Sequence, residues 1–374
     1  MLTYKGSCIC TDLKGAEIFF TTARRRAEMG QTVSRFDPFH TAEETFFQLL
    51  GLEAEQKIIA RTFFLGSAEV AATDAVWHTL LNPQQRKRLE TLRPALHSLC
   101  RFPPKRLNQL TLAETHHPAF LETIDTFCEA IVIPQNSSQP YFQEKAKSLL
   151  KTALLFVCLY APPEKRNLGE IHRFFQAFAR RDQAWLNYFE ILTGSELWDG
   201  LLAHRSREFI TMNETEIRSV EASLNLELEW LGNPYVRHSL EDSDQNFDEL
   251  KKKTTLYLIL PAETTRASAR LIRLLFSSIA LSFFRQPGQG EPLSVFFLDE
   301  FPVLGNLGSR ITDLLTVLPG YGLRNAHGTL PDQSFSSSFR KRRYRIRLPT
   351  LGQAVENTAH STPPRPDCRF LLGS

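Results

Sequence analysis

Leu293-Ser294-Val295-Phe296-Phe297-Leu298-Asp299-Glu300 joins a continuous apolar run to two carboxylates. A strand buried on both faces reads this way, and such strands occupy the centre of parallel sheets. In a parallel sheet the loops that carry chemistry sit at the C-terminal strand ends, so the run predicts Asp299 and Glu300 at a strand tip. Upstream, Thr254 to Leu260 reads as another strand, Thr264 to Phe284 as an amphipathic helix and Pro287 to Pro292 as a turn. Together with Leu293–Leu298 they form a βαβ unit with parallel strands. The opening of the chain has the same plan. Ser7-Cys8-Ile9-Cys10-Thr11 is a β-prone run ended by Asp12, Lys14 and Gly15; Glu17 to Met29 is a helix closed by Gly30; Val33 to Phe36 is a short strand. Asp12 and Asp37 thus also fall at C-terminal strand ends.

Between Thr41 and Leu231 strand-like alternation gives way to helical periodicity, punctuated by Pro103-Pro104, Pro134 to Pro140 and Pro162-Pro163. The plainest helix opens at Asn213 with Glu216 three positions on, as in a capping box, and carries Ile217, Val220, Leu224, Leu228 and Leu231 on one stripe. Tyr141 to Tyr160 is apolar on nearly every side beyond Lys151, which fits a helix inside a bundle. The fold class expected is therefore α/β, with an all-α domain interrupting the sheet. Its divisions are 1–40 and 236–324 for the α/β layer, 41–104 for an inserted helical segment, 105–235 for the all-α domain and 325–374 for a disordered basic tail.

The 374 residues include 44 Lys+Arg and 41 Asp+Glu, with 42% hydrophobic and 23% charged residues, a globular composition. The net charge of +3 hides an asymmetry: residues 325–374 hold eight basic against three acidic side chains, so the body is slightly acidic. Binding of nucleic acid by bulk positive charge is excluded for that body. No run approaches the ~18–20 apolar residues of a membrane-spanning helix. The N-terminus has no secretory pattern, and six scattered cysteines suit a reducing compartment. A cytoplasmic location is the expectation. Cys8 and Cys10 share one strand face and read as buried thiols.

An apolar strand ending in Asp-Glu is the hydrophobic-strand acid motif, Walker B, of nucleoside triphosphatases. The strand would fix Asp299 where its carboxylate can hold Mg²⁺ through the water shell, and place Glu300 to polarise an attacking water. Wider blocks strengthen the reading. Phe297 to Gly305 and Leu318 to Arg324 resemble the type IV coupling proteins, the TraG/TraD class of DNA-transfer ATPases in conjugation and type IV secretion. Gly6-Ser7 to Lys14-Gly15, Thr21, Arg24-Arg25, Phe36-Asp37-Pro38-Phe39, Arg218-Ser219-Val220, Asn233-Pro234, Phe247-Asp248 and Leu256 to Pro261 follow in the family's order. The resemblance spans residues 1–40 and 105–324.

It implies a RecA-like P-loop fold, ATP and Mg²⁺ as cofactors, and Asp12, Lys14 and Gly15 in a cofactor-binding loop after the family's Asp-Pro-Lys-Gly-Glu pattern. It also implies a membrane-anchored homo-hexamer that moves single-stranded DNA with its attached relaxase into a secretion channel. Three departures qualify this. A G-x-x-x-x-G-K-[ST] phosphate loop occurs nowhere in the sequence. Leu13 and Ala16 replace the loop's proline and glutamate. After Arg324 the family pattern gives way to a basic, Ser/Pro-rich stretch, as a shifted reading frame would produce. The expectation is an incomplete coupling protein, inactive as an ATPase alone, with ATP and Mg²⁺ bound weakly or not at all and a ring not formed. The alternatives are a non-enzymatic protein binding relaxosome or effector partners, and a cytoplasmic DNA translocase of the HerA/FtsK kind. The clusters Arg24-Arg25-Arg26, Arg180-Arg181 and Lys251-Lys252-Lys253 read as solvated helix ends and loops, and His116-His117 as a turn before Pro118.

Overall fold

The computed structural model describes residues 1–66, 71–132, 140–261, 263, 265–286, 288, 292–298 and 316–327. Among them, β1 (Cys8–Asp12), β2 (Thr32–Phe36), β3 (Thr254–Ile259), β4 (Ser294–Leu298) and β5 (Leu323–His327) form one sheet in the order β2-β3-β1-β4-β5. Every pairing is parallel, and β1 is central, with Cys8 opposite Thr255 on one side and Val295 on the other. The four strands expected from the sequence appear within one residue of their expected limits. The fifth corrects the boundary of the tail. β5 runs three residues into it, because the edge of β4 supplies hydrogen bonds that outweigh the weak strand preference of Arg324-Asn325-Ala326-His327. The rest of 325–374 lies outside the described residues.

The period of two along each strand divides the core. Cys10, Tyr257 and Ile259 face Phe19, Phe46 and Trp77, whereas Ile9, Leu256, Leu258, Phe296 and Leu298 join the cluster of Phe127, Leu150 and Leu275. Residues of α1 (Glu17–Glu28), α2 (Thr41–Leu50), α3 (Ala54–Gly66), α4 (Asp74–Leu80) and α5 (Pro83–Arg101) contribute to the first cluster. The chain then builds α6 (Phe120–Ile131), α7 (Pro140–Tyr160), α8 (Leu168–Arg180), α9 (Gln183–Thr193), α10 (Leu197–Ile210), α11 (Glu214–Leu228) and α12 (Pro234–Ser239) before β3. α13 (Thr265–Arg285) is the crossover from β3 to β4 and shares the second cluster with this block. The capping box of α11 forms as expected: Asn213 Oδ1 accepts the Glu216 N–H at 3.0 Å and Glu216 Oε2 accepts the Asn213 N–H at 3.1 Å. No helix of the described residues is long and apolar enough to cross a membrane.

Buried and partly buried arginines tie the parts together. Arg273 donates from Nε to the Ala130 carbonyl at 2.8 Å, satisfying the C-terminus of α6, and Arg270 Nε meets Glu227 Oε2 of α11 at 2.5 Å. Arg285 donates to the Leu112 carbonyl and to Thr123 Oγ1. The crossover helix between two sheet strands is therefore fastened to the helical block near both of its ends. On the opposite face of the sheet, Arg26 is fully buried rather than solvated. It donates to Thr255 Oγ1 at 2.8 Å and to the carbonyls of Met1, Tyr4 and Gly6, stitching the opening segment to β3. Gly6 allows the opening segment to pass close to the start of β4, since a Cβ there would collide with the Leu293 carbonyl.

Candidate functional site at the strand tips

The C-terminal ends of β1 and β2 carry the carboxylates named from the sequence. Asp12 is fully buried, and its Oδ2 accepts the Phe19 N–H at 2.8 Å, holding the first turn of α1 against the end of β1. Its own carbonyl accepts the Leu260 N–H at 3.2 Å, which ties the end of β1 to the end of β3. Lys14 is exposed on the turn that follows, and Gly15 and Ala16 both adopt left-handed backbone with φ of 68° and 66°. A Cβ at Gly15 would stand 2.8 Å from Thr45 Oγ1, so α2 lies directly against this loop. Glycine suits the position on both counts.

Asp37, one residue beyond β2, is buried and caps α2: Oδ1 accepts the Thr41 N–H at 2.7 Å and Oδ2 the Ala42 N–H at 2.9 Å. Burial, with the charge of Glu43, pushes its carboxyl up to about 6 in spite of Arg35 and those two donors. Arg35 is the residue that sequence reasoning missed. Its guanidinium is fully buried, 2.7 Å from Glu43 Oε1, 3.8 Å from Asp37 Oδ2 and 5.3 Å from the centre of the Phe19 ring. An arginine inside a short strand followed by two acids within eight residues was the available signal, because a buried guanidinium requires a carboxylate partner.

Asp299 and Glu300 lie outside the described residues. Leu298, which precedes them, pairs with Thr11, so the chain leaves β4 beside the C-terminal end of the central strand. Among the described residues no group of three His, Cys, Asp or Glu is placed to hold a metal ion. His116 and His117 form the expected turn, with His117 Nδ1 accepting the Ala119 N–H at 3.1 Å.

The described tips do not fit a nucleotide's phosphates. Phosphate recognition uses open backbone N–H groups at helix N-termini and glycine loops. Here the Phe19 N–H of α1 and the Thr41 and Ala42 N–H groups of α2 are taken by Asp12 and Asp37, whose negative charge at those helix starts would also repel an anion. Of the basic clusters, Arg24 and Arg25 are exposed and pair with Glu28, and Arg180 pairs with Asp182. Arg181 instead packs over Phe178 and Trp185, and Lys251 Nζ donates to the carbonyls of Phe283, Gln286 and Gly288 at 3.1 Å each. These two are structural pins.

A parallel five-stranded sheet with apolar clusters on both faces, whose central strand neighbours the apolar strand that precedes Asp-Glu in the sequence, defines an α/β protein. Residues 100–327 match the family model described as type IV secretory system conjugative DNA transfer, and the chain belongs to that family. Among curated relatives, VirD4 of Rhizobium radiobacter is 26% identical over 325 residues, covering 86% of this chain and 37% of its own length. VirD4 of Rhizobium rhizogenes is 24% identical over 330 residues, covering 86% and 38%. The chain thus spans a little over a third of the length of these relatives. Similar solved structures include the plasmid coupling protein TrwB in complex with ADP and Mg²⁺, with 14% identity, a TM-score of 0.42 and coverage of 87% of this chain and 63% of that one. An unbound monoclinic form of TrwB gives a TM-score of 0.41 at 14% identity, covering 86% and 61%.

Proposed function

We propose that this chain carries the metal and water side of the ATP site of a conjugative coupling protein, and that as given it does not hydrolyse ATP. The observation that supports the proposal is the pairing of Leu298, the residue before Asp299 in the sequence, with Thr11 of the central strand. In this reading Asp299 holds Mg²⁺, Glu300 orients the attacking water, and Lys14 and Gly15 belong to the adjoining loop. Bound Mg²⁺ and ATP would supply the electrophilic phosphoryl group. Asp12, also expected at the nucleotide, serves instead to position that loop through the start of α1.

The expected inactivity rests on residues 1–374 containing no G-x-x-x-x-G-K-[ST] loop. Removing one preorganised donor from a charge-stabilising site costs roughly 10²–10³-fold in rate, and a loop with its lysine supplies several. Within the intact assembly the substrate would be single-stranded DNA with its relaxase, passed to secretion-channel components by a hexameric ring; for this chain a ring is not proposed. The test is phosphate release by the purified chain with ATP and Mg²⁺, with and without single-stranded DNA, beside Glu300→Gln. The expected result is no difference between the two proteins. DNA-stimulated turnover abolished by Glu300→Gln would overturn the claim of inactivity while supporting the role of Glu300.

A second reading, docking of a protein partner on the helical block, is favoured by a half-open cavity of about 180 Å³ lined by Phe156, Tyr160, Phe174 and Tyr188. Under that reading relaxase used as bait retains the chain, and Tyr188→Ala weakens the retention.

A further inference from the structure

The buried charges at the end of β2 do more than anchor a helix. Arg35 Nη2 is 2.7 Å from Glu43 Oε1, but its Nη1 stands 3.8 Å from Asp37 Oδ2, and Glu43 Oε2 stands 3.8 Å from His40 Nδ1. Four buried polar atoms of this one cluster, Arg35 Nε and Nη1, Thr41 Oγ1 and Glu43 Oε2, make no hydrogen bond. Such a concentration is uncommon, since buried polar groups are nearly always satisfied. The cluster therefore has one tight contact and two slack ones. It lies beneath α2, whose Thr45 presses on the left-handed Gly15 of the β1 loop. His40 itself has left-handed backbone with φ 54°, and its half-exposed ring meets the exposed Tyr235 ring edge-on at 6.0 Å.

We propose that Arg35, Asp37, His40 and Glu43 form a proton-operated latch, which seats α2 on the tips of β1 and β2 while Asp37 and His40 are protonated and loosens it when both have lost their protons. The charge inventory carries the argument. With both protonated, Arg35 and His40 face the single anion Glu43 and Asp37 is neutral. With both deprotonated, Arg35 alone faces Glu43 and Asp37, two carboxylates that repel each other and compete for one guanidinium. The other groups facing the cluster are the Phe19 ring from α1, the Tyr235 ring from α12 and Cys100 from α5, whose thiol burial pushes up to about 11 and keeps neutral throughout.

The directions agree. Asp37 is raised to about 6 by burial and by Glu43, so its contribution is full below about 3.8 and is lost as pH rises through 6. His40 is raised by its contact with Glu43 against the effect of burial, so its contribution is lost as pH rises through a value above 6.5. Burial opposes ionisation of Glu43, yet Arg35 and His40 outweigh it and hold its carboxyl near 2, so Glu43 remains an anion across this window.

Hydrogen exchange of the full chain, corrected for intrinsic rates and referenced to α7, tests the latch. Between pH 5 and pH 8 the protection of α2 amides should fall about tenfold or more, and amides 13–16 should fall with them. Asp37→Asn, fixed neutral but able to accept only one of the Thr41 and Ala42 N–H groups, should flatten the fall in protection between pH 5 and pH 8. His40→Ala should lose protection at pH 5 and flatten the profile. Protection of α2 independent of pH in the native protein, or a pH profile unchanged in Asp37→Asn, would overturn the proposal.

Discussion

Arg26→Ala should lower the stability of the fold by about 3–5 kcal/mol in urea denaturation. A hydrogen bond from a charged donor contributes ~1.5–3 kcal/mol, and a buried acceptor left alone costs a further ~1–3 kcal/mol. Arg26 supplies bonds to Thr255 Oγ1 and to three carbonyls of the opening segment. Its loss also frees residues 1–6 to peel away, leaving Gln31 Nε2 without the Lys5 carbonyl it now reaches at 2.8 Å. The neighbours calibrate the result, because Arg24→Ala and Arg25→Ala remove only exposed partners of Glu28 and should each change stability by less than about 0.5 kcal/mol. Equal effects at all three positions would contradict the assignment.

The second large effect is expected at the joint between sheet and helical block. Glu227 is buried on α11, 2.5 Å from Arg270, and its negative charge also reaches Arg273, whose burial drives its value down to about 10. Glu227→Ala leaves buried guanidinium charge uncompensated, a loss of about 3–5 kcal/mol. The double variant Glu227→Leu with Arg270→Met should recover most of it, since an apolar pair of similar volume can equal a buried ion pair. If the single change costs under about 1 kcal/mol, α13 does not fasten the two regions in the way the contacts indicate.

How much of this was legible beforehand follows from which interactions are local. The apolar run Val295–Leu298 and the β-prone run Ser7–Thr11 report a strand's surroundings directly, so the parallel sheet could be read. The capping box at Asn213 and Glu216 is likewise local and could be read. Arg26 could not: it sits in a triple-arginine run that looks like a solvated helix end, and its acceptors, the Thr255 hydroxyl and three backbone carbonyls, are twenty or more residues away. Arg35 was hidden similarly, because its partner Glu43 lies on a helix that the family pattern does not cover. β5 escaped because its pairing, rather than its residues, makes it a strand. At the candidate site, the positions of Asp12 and Asp37 at strand ends were legible, but their use as helix caps was not. A carboxylate at a strand tip serves a ligand or a helix start equally well until the distances are known.

We propose centrally that Asp299 and Glu300, which follow β4 in the sequence, lie at the C-terminal tip of β1. Cysteine cross-linking tests it directly, with Cys100 and Cys368 replaced by serine. Glu300→Cys combined with Lys14→Cys should be joined rapidly by a short bifunctional maleimide in the folded chain. Glu300→Cys combined with Lys5→Cys should not, because the opposite ends of a five-residue strand are ~17 Å apart. Preferential cross-linking of position 300 to position 5, or to neither, in a chain that remains folded would contradict the account.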